Sequence, residues 1–247
     1  MSTIIEVRGV SKSYGGVVAN KDISIDVAEG GITGLSGPNG SGKTTLFNSI
    51  VGYHPIDGGS IKFQSKEISK LQVQDIARLG LLRTFQQTRI YGAMDCVQNM
   101  LISLPHRKMS LGDMFSRNTK ADYEKADRLL EFVGLYEKRF LRSGSLSFGQ
   151  QKLLEFAMAL MNKPTVLLLD EPTAGINPTL INGLIDRLRR ANTEFGITLF
   201  IIEHNMRVIM NMADRMYCLA HGELLAEGTP DEIQNDQRVI DAYLGAH

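Results

Sequence analysis

The chain has 247 residues, enough for one large domain with a sizeable core or for two small ones. Its 27 basic and 27 acidic residues cancel, so no global field draws in nucleic acid or an anionic membrane. Cys96 and Cys218 are its two cysteines, far apart, with neither a disulfide framework nor metal-type spacing; a reducing compartment fits, and each reads as a small core residue. The start, Met1-Ser2-Thr3-Ile4-Ile5-Glu6, lacks the cationic and apolar regions of a signal peptide. No uninterrupted apolar run approaches about 18 residues, so nothing spans a bilayer as a helix. These features describe a soluble, cytoplasmic protein that other chains would bring to a membrane.

Residues 4–10 and 23–27 alternate as half-buried strands do, with Ile23, Ile25 and Val27 on one face and Ser24 and Asp26 on the other. Between them Tyr14 and Gly15-Gly16 make a turn carrying one aromatic. The strand-like run Ile32 to Leu35 leads into Gly37-Pro38-Asn39-Gly40-Ser41-Gly42-Lys43-Thr44-Thr45, which fits G-x-x-x-x-G-K-[ST]. Small residues let a backbone fold closely around a polyphosphate with successive N–H groups pointing inward. Lys43 supplies a compact cation for the terminal phosphates and Thr44 a hydroxyl for Mg²⁺. The helix predicted over Thr44 to Val51 turns its positive dipole end toward the anion.

Further along, Asp57-Gly58-Gly59 predicts a turn and Ser60 to Gln64 a short strand. From Cys96 to Val133 the pattern is helical. Leu101 and Leu104 close one helix, Pro105-His106-Arg107 breaks it, and the basic, methionine-containing stretch to Asn118 reads as a loop with a short helix. Residues 120–133 have helical spacing in Ala126, Leu129, Leu130 and Val133, and Gly134 stops the helix. From Ser147 helices and strands alternate. A helix runs from about Phe148 to Met161, and Asn162-Lys163-Pro164 ends it. Val166 to Asp170 is continuously apolar up to its last residue, as a strand covered on both faces should be. Asn177-Pro178 caps another helix. Then come a strand over Thr198 to Ile202, a methionine-containing helix and a hairpin over Met216 to Glu227. Thr229-Pro230-Asp231-Glu232 has capping-box spacing and starts a terminal helix. No flexible linker interrupts the chain, which reads as layers of one compact unit.

Phosphoryl transfer needs Mg²⁺ near the phosphates and a group that acts on the attacking water. The apolar strand 166–169 delivers Asp170 to its carboxyl end, where ligands bind in open α/β sheets. Asp170 suits the metal, and Glu171, leaving the pleat, suits the general base. Three more features stand beside these. Leu146-Ser147-Phe148-Gly149-Gln150-Gln151 opens a helix, with Ser147 able to cap it and Gly149 letting backbone approach an anion. Arg83-Thr84-Phe85-Gln86 follows a strand-like run, and His204 follows the strand ending at Ile202-Glu203.

In order and spacing these motifs resemble the ATP-binding subunits of ATP-binding cassette (ABC) transporters, over essentially the entire chain. The resemblance implies an α/β fold: a P-loop (RecA-like) ATPase core with an antiparallel β subdomain and an inserted α-helical subdomain. Its single nucleotide-binding domain would divide at about 1–85, 86–160 and 161–247. It implies that Tyr14 stacks on adenine and that residues 37–45 hold the phosphates of ATP. Thr44, Gln86 and Asp170 would serve Mg²⁺, and Gln86 would also sense the membrane subunit. Lys43, Glu171 as base and His204 as the γ-phosphate switch would form the catalytic set. The segment Leu146 to Gln150, with Ser147, Phe148, Gly149 and Gln150, resembles the family signature, which completes the ATP site of a partner. Two cassettes then enclose two ATP molecules, and residues 174–177 form the loop exchanged between them. Two departures stand out: Phe148 where many members have glycine, and Asn177 where aspartate is usual.

The sharper resemblance is to the ATPases of branched-chain amino acid importers. It is carried by Arg83 to Gln86, Pro172 to Pro178, Ile202 to Met206, the 105–118 segment, and the ending from Gly228-Thr229-Pro230 through Ala242-Tyr243-Leu244-Gly245. It implies a second ATPase subunit, identical or different, two transmembrane permeases on the inner face of the membrane, and indirectly an extracytoplasmic solute-binding protein. Urea/amide importers and the lipopolysaccharide-export ATPase share much of this pattern. A non-transport cassette protein acting on ribosomes or DNA is the alternative of another class. Such members carry paired cassettes, coiled-coil insertions or zinc motifs, and this chain has none of these.

Overall fold

The computed structural model describes residues 2–84, 90–104 and 118–245. The N-terminal strands run longer than their alternation required: β1 (Thr3–Tyr14) and β2 (Val17–Ala28) pair antiparallel almost to their tips. Gly15 and Gly16 connect them at φ 52° and 90°, the positive values a two-residue hairpin turn needs. The chain continues through β3 (Ile32–Ser36), α1 (Lys43–Ile50), β4 (Gly58–Phe63), β5 (Lys66–Glu67), α2 (Val73–Arg78), β6 (Leu81–Arg83) and α3 (Cys96–Ile102). After α4 (Lys120–Phe132) and α5 (Phe148–Leu160) come β7 (Val166–Asp170), α6 (Pro178–Phe195), β8 (Thr198–Ile202) and α7 (Met206–Met210). The hairpin β9 (Arg215–Ala220) and β10 (Glu223–Gly228) leads to α8 (Pro230–Asn235) and α9 (Gln237–Leu244).

Three expectations change. Gly58-Gly59 is not a turn but the start of β4, where the register against β1 shifts between Arg8 and Ser11. Gly59 has φ 87°, and a Cβ there would lie 2.4 Å from the Arg8 carbonyl oxygen, so the glycine serves a close strand approach at an irregularity. The helix expected to close at Leu104 ends at Ile102, where the Ser103 hydroxyl bonds the Met100 and Met158 carbonyls. The terminal helix is two helices: Asp236 breaks the first and caps the second, accepting from the Arg238 N–H at 2.9 Å. The loop expected at 105–118 lies outside the described residues up to 117.

The chain separates into two units, residues 1–83, 165–172 and 188–247 in one, and 84–164 and 173–187 in the other. The first holds both sheets. One is antiparallel in the order β2-β1-β4-β5; the other runs β10-β9-β3-β8-β7-β6 and is parallel except for the β9–β10 hairpin. Their shared core joins Ile5, Val7, Ile25 and Phe63 of the antiparallel sheet to Leu35, Leu168, Phe200 and Ile202 of the parallel one, with Leu46 and Phe47 of α1. All five residues of β3, β7 and β8 are buried, which explains the apolar runs Val166 to Leu169 and Leu199 to Ile202. The second unit packs α3, α4 and α5 through Met100, Leu130, Leu154 and Phe156. Buried Asn99 ties its loops together, donating to the carbonyls of Tyr91 and Asp95 and to the Ser143 hydroxyl. As expected, Gly134 ends α4 at φ 75°, and the Leu135 N–H reaches back to the Leu130 carbonyl at 2.7 Å.

Candidate active site

Strands β3, β8, β7 and β6 are parallel neighbours, so their carboxyl ends share one edge. That edge receives the glycine-rich loop after β3, His204 after β8, Asp170 and Glu171 at the end of β7, and Arg83 at the end of β6. Ligands bind at such an edge because loops there converge and helix N-termini point at it.

The loop is shaped by contacts that exclude side chains. A Cβ at Gly37, φ 138°, would lie 2.1 Å from the Leu219 carbonyl oxygen; one at Gly42, φ 97°, would lie 2.3 Å from that of Ala19. Gly40 faces open space, and Asn39 and Thr44 are exposed. Because Gly42 is the N-cap of α1, no side chain takes the first amides of that helix. The Asn20 amide holds the Gly42 carbonyl from the opposite side at 3.1 Å. Lys43 is only 6% exposed, and its ammonium donates to the carbonyls of Gly37 (2.8 Å) and Pro38 (2.9 Å) and to the Ser41 hydroxyl (3.4 Å). Burial pulls its pKa below the ordinary lysine value, and the nearby Glu171, Cys218 and Asp170 oppose that shift.

Asp170 is 1% exposed, and its Oδ2 accepts from Arg83 Nη2 at 2.5 Å. Arg83 Nη1 also donates to Asn48 Oδ1. Among the described residues Asp170 Oδ1 is buried with no hydrogen-bond partner. An orphaned carboxylate oxygen costs free energy unless a cation or donor meets it. That oxygen and the exposed Thr44 hydroxyl of the loop are both oxygen donors, the kind Mg²⁺ takes one or two of from protein beside substrate phosphates. Among the described residues no cluster of three or more His, Cys, Asp or Glu could hold a metal by itself. The residues present fit the ion.

Glu171 takes φ 49°, unusual outside glycine, and its N–H donates to the Ile202 carbonyl at 2.9 Å. That kink ends the pleat. Glu171 Oε2 lies 2.7 Å from His204 Nε2, with the carboxylate largely buried and the imidazole 43% exposed. Tyr14 ends β1 with an exposed ring set edge-on to His54 at 5.5 Å and the Lys12 ammonium 5.3 Å from its centroid. Gln86 lies outside the described residues.

In the second unit Ser147 caps α5 as its sequence predicts. Its hydroxyl accepts from the Gln150 N–H at 3.4 Å, and Gln150 Oε1 accepts from the Ser147 N–H at 3.1 Å. Phe148 is exposed and lies against Gly175, φ 73°, where a Cβ would come to 2.9 Å from its ring. The aromatic departure in the signature-like segment therefore packs on the 174–177 loop. Asn177, the other departure, caps α6: its Oδ1 accepts from the N–H (3.1 Å) and hydroxyl (2.9 Å) of Thr179. An aspartate there would do the same.

Sequence reasoning assigned no task to Arg83 or Asn20. A cation ending the short strand β6 was the signal for Arg83, but its acidic partner follows only from sheet order; Asn20 had none, because its role is a contact across 22 residues.

A parallel sheet with this loop after its central strand defines the phosphate-loop nucleotide-binding class. The family model described as "ABC transporter" matches residues 20–174, and "Branched-chain amino acid ATP-binding cassette transporter" matches residues 223–247. The chain is 35% identical over 98% of both chains to the high-affinity branched-chain amino acid transport ATP-binding protein LivG of Salmonella typhimurium. With the corresponding BraF of Pseudomonas aeruginosa identity is 36% over the same shares. The crystal structure of an ATP-binding cassette of an ABC transporter, in its ADP conformation, superposes with a TM-score of 0.89 at 32% identity, covering 99% of this chain and all of that one. The chain belongs to the ATP-binding cassette family of ABC transporters.

Proposed function

We propose that this chain is the ATP-hydrolysing subunit of an importer for branched-chain or other hydrophobic amino acids. The observation that carries the reading is the meeting of Lys43, Asp170, Glu171 and His204 at one sheet edge. Loop amides and Lys43 bind the phosphates, and the exposed Tyr14 ring offers a face to adenine. Thr44, Asp170 and Gln86 would hold Mg²⁺, which when bound would neutralise charge developing on the phosphates. Glu171 takes the proton of the attacking water, and His204, in contact with Glu171 Oε2, holds that carboxylate and reaches toward the γ-phosphate. The segment Ser147 to Gln150 acts on the ATP of a second cassette. The helical unit meets the permeases, so the subunit works at the inner face of the membrane. The relatives' names and the match over 223–247 support the amino-acid solute.

Cells dependent on this chain are assayed for uptake of labelled leucine and of urea, with the chain intact or carrying Lys43→Ala. Loss of leucine uptake alone is the expected result. Unchanged leucine uptake, or loss of urea uptake alone, contradicts the solute assignment.

A further inference from the structure

The ladder between β3 and β9 ends at the Ser36–Cys218 pair, so buried Gly37 is the first loop residue beyond the sheet. Its N–H has no strand to pair with, and a buried unpaired amide is costly. The partner comes from the other end of the chain: Gly37 N–H donates to the Tyr243 hydroxyl of α9 at 2.8 Å, across 206 residues. On its other side Gly37 offers its carbonyl to the Lys43 ammonium at 2.8 Å. A continuous path therefore runs from α9 through one glycine to the lysine of the phosphate loop.

The neighbouring part of α9 does not pack tightly on the loop. A cavity of about 280 Å³ is lined by Pro38, Asn39, Gly40 and Ser41 on one side and Asp241, Ala242 and Gly245 on the other. On that side the loop borders open space, while Gly37 itself packs against the Leu219 carbonyl on the sheet side. Gly37 sits at φ 138°, backbone open to glycine, with the Leu219 carbonyl against one side and the Tyr243 hydroxyl on its N–H.

We propose that Tyr243 is a positioning residue for nucleotide binding: its hydroxyl orients Gly37, and through Gly37 the Lys43 ammonium and the loop amides. This rests on the reading of the loop as an ATP site. The task falls to the C-terminal segment matched by the branched-chain cassette model, so a part of the chain distant in sequence tunes the affinity of the loop.

The test uses the full chain with Tyr243→Phe, which keeps the ring, and Leu244→Ala, an exposed position of the same helix outside the cavity lining, as a control. ATP affinity is measured by calorimetry well below the unfolding temperature, together with hydrogen exchange at the Gly37 amide. The phenylalanine variant should bind ATP about three- to tenfold more weakly, the worth of one hydrogen bond, with faster exchange at Gly37. Leu244→Ala should bind as the wild type does. A Tyr243→Phe protein that melts earlier but binds ATP within twofold of wild type makes the tyrosine merely structural and overturns the proposal. Equal weakening in both variants overturns it too. Failure of the wild type to bind ATP sinks the nucleotide reading and this inference together, whereas normal binding in both wild type and Tyr243→Phe sinks the inference alone.

Discussion

The N-termini of α1 and α5 treat their first amides in opposite ways. At α1 the cap is Gly42 in the left-handed region, with no side chain to accept from the first turn, and the loop before it is bent by glycines where Cβ atoms cannot fit. Its local polar partner is Lys43, which bonds the loop's own carbonyls. At α5 the cap is Ser147, and Ser147 and Gln150 satisfy each other's N–H groups in a capping box. One terminus is left open for an anion, and the other is a self-satisfied helix start carrying an exposed aromatic beside it. Of the two, only the first leaves its opening amides without a side-chain cap, as an anion site requires. The second has the geometry of a stable, capped helix start at the surface.

Substitutions sharpen this contrast. The largest loss of binding is expected for Gly42→Ala, whose Cβ would press on the Ala19 carbonyl at 2.3 Å in a backbone conformation alanine resists. ATP affinity should fall roughly a hundredfold; near-normal binding in a titration would show that the loop's shape is not what binds. Lys43→Ala comes next, with affinity down about ten- to a hundredfold through loss of a charge-assisted contact. Ser147→Ala should cost about 1 kcal/mol of stability by removing a cap, seen as an earlier denaturation midpoint. ATP binding by the isolated chain should stay within twofold. If that variant lost binding as Lys43→Ala does, the two helix termini would serve one site in the same chain, and the contrast would collapse. The smallest effect concerns Cys96, whose thiol burial pushes up to about 11. Its alkylation in the native protein at pH 8 should be slow beside the unfolded chain.

The strands that build the site edge were plain in the sequence because burial on both faces leaves an unbroken apolar run: Val166 to Leu169 and Thr198 to Ile202 needed no partner to be recognised. The caps at Ser147, Asn177 and Thr229 were equally local and held. Where the sequence misled, local preference had two outlets. A glycine pair at 58–59 suits a turn and a close strand approach alike, and only the pairing with β1 selects the second. Asp236 lies inside a helix-like run and shows its breaking role only once its carboxylate turns to cap α9. What was illegible is what depends on sheet order. Arg83 meets Asp170 because β6 lies beside β7, and Tyr243 meets Gly37 because α9 returns to the end of β3.

The central claim is that the β3, β7 and β8 strand ends form a hydrolytic ATP site with Glu171 as its base. Glu171→Gln tests it most directly, because the amide keeps the volume and loses the proton acceptor. ATP binding by calorimetry and phosphate release are measured on the same preparation in the assembled transporter. Affinity within about threefold of wild type is expected, with turnover lower by at least about a hundredfold. Turnover within a few fold of wild type, with binding intact, would contradict it.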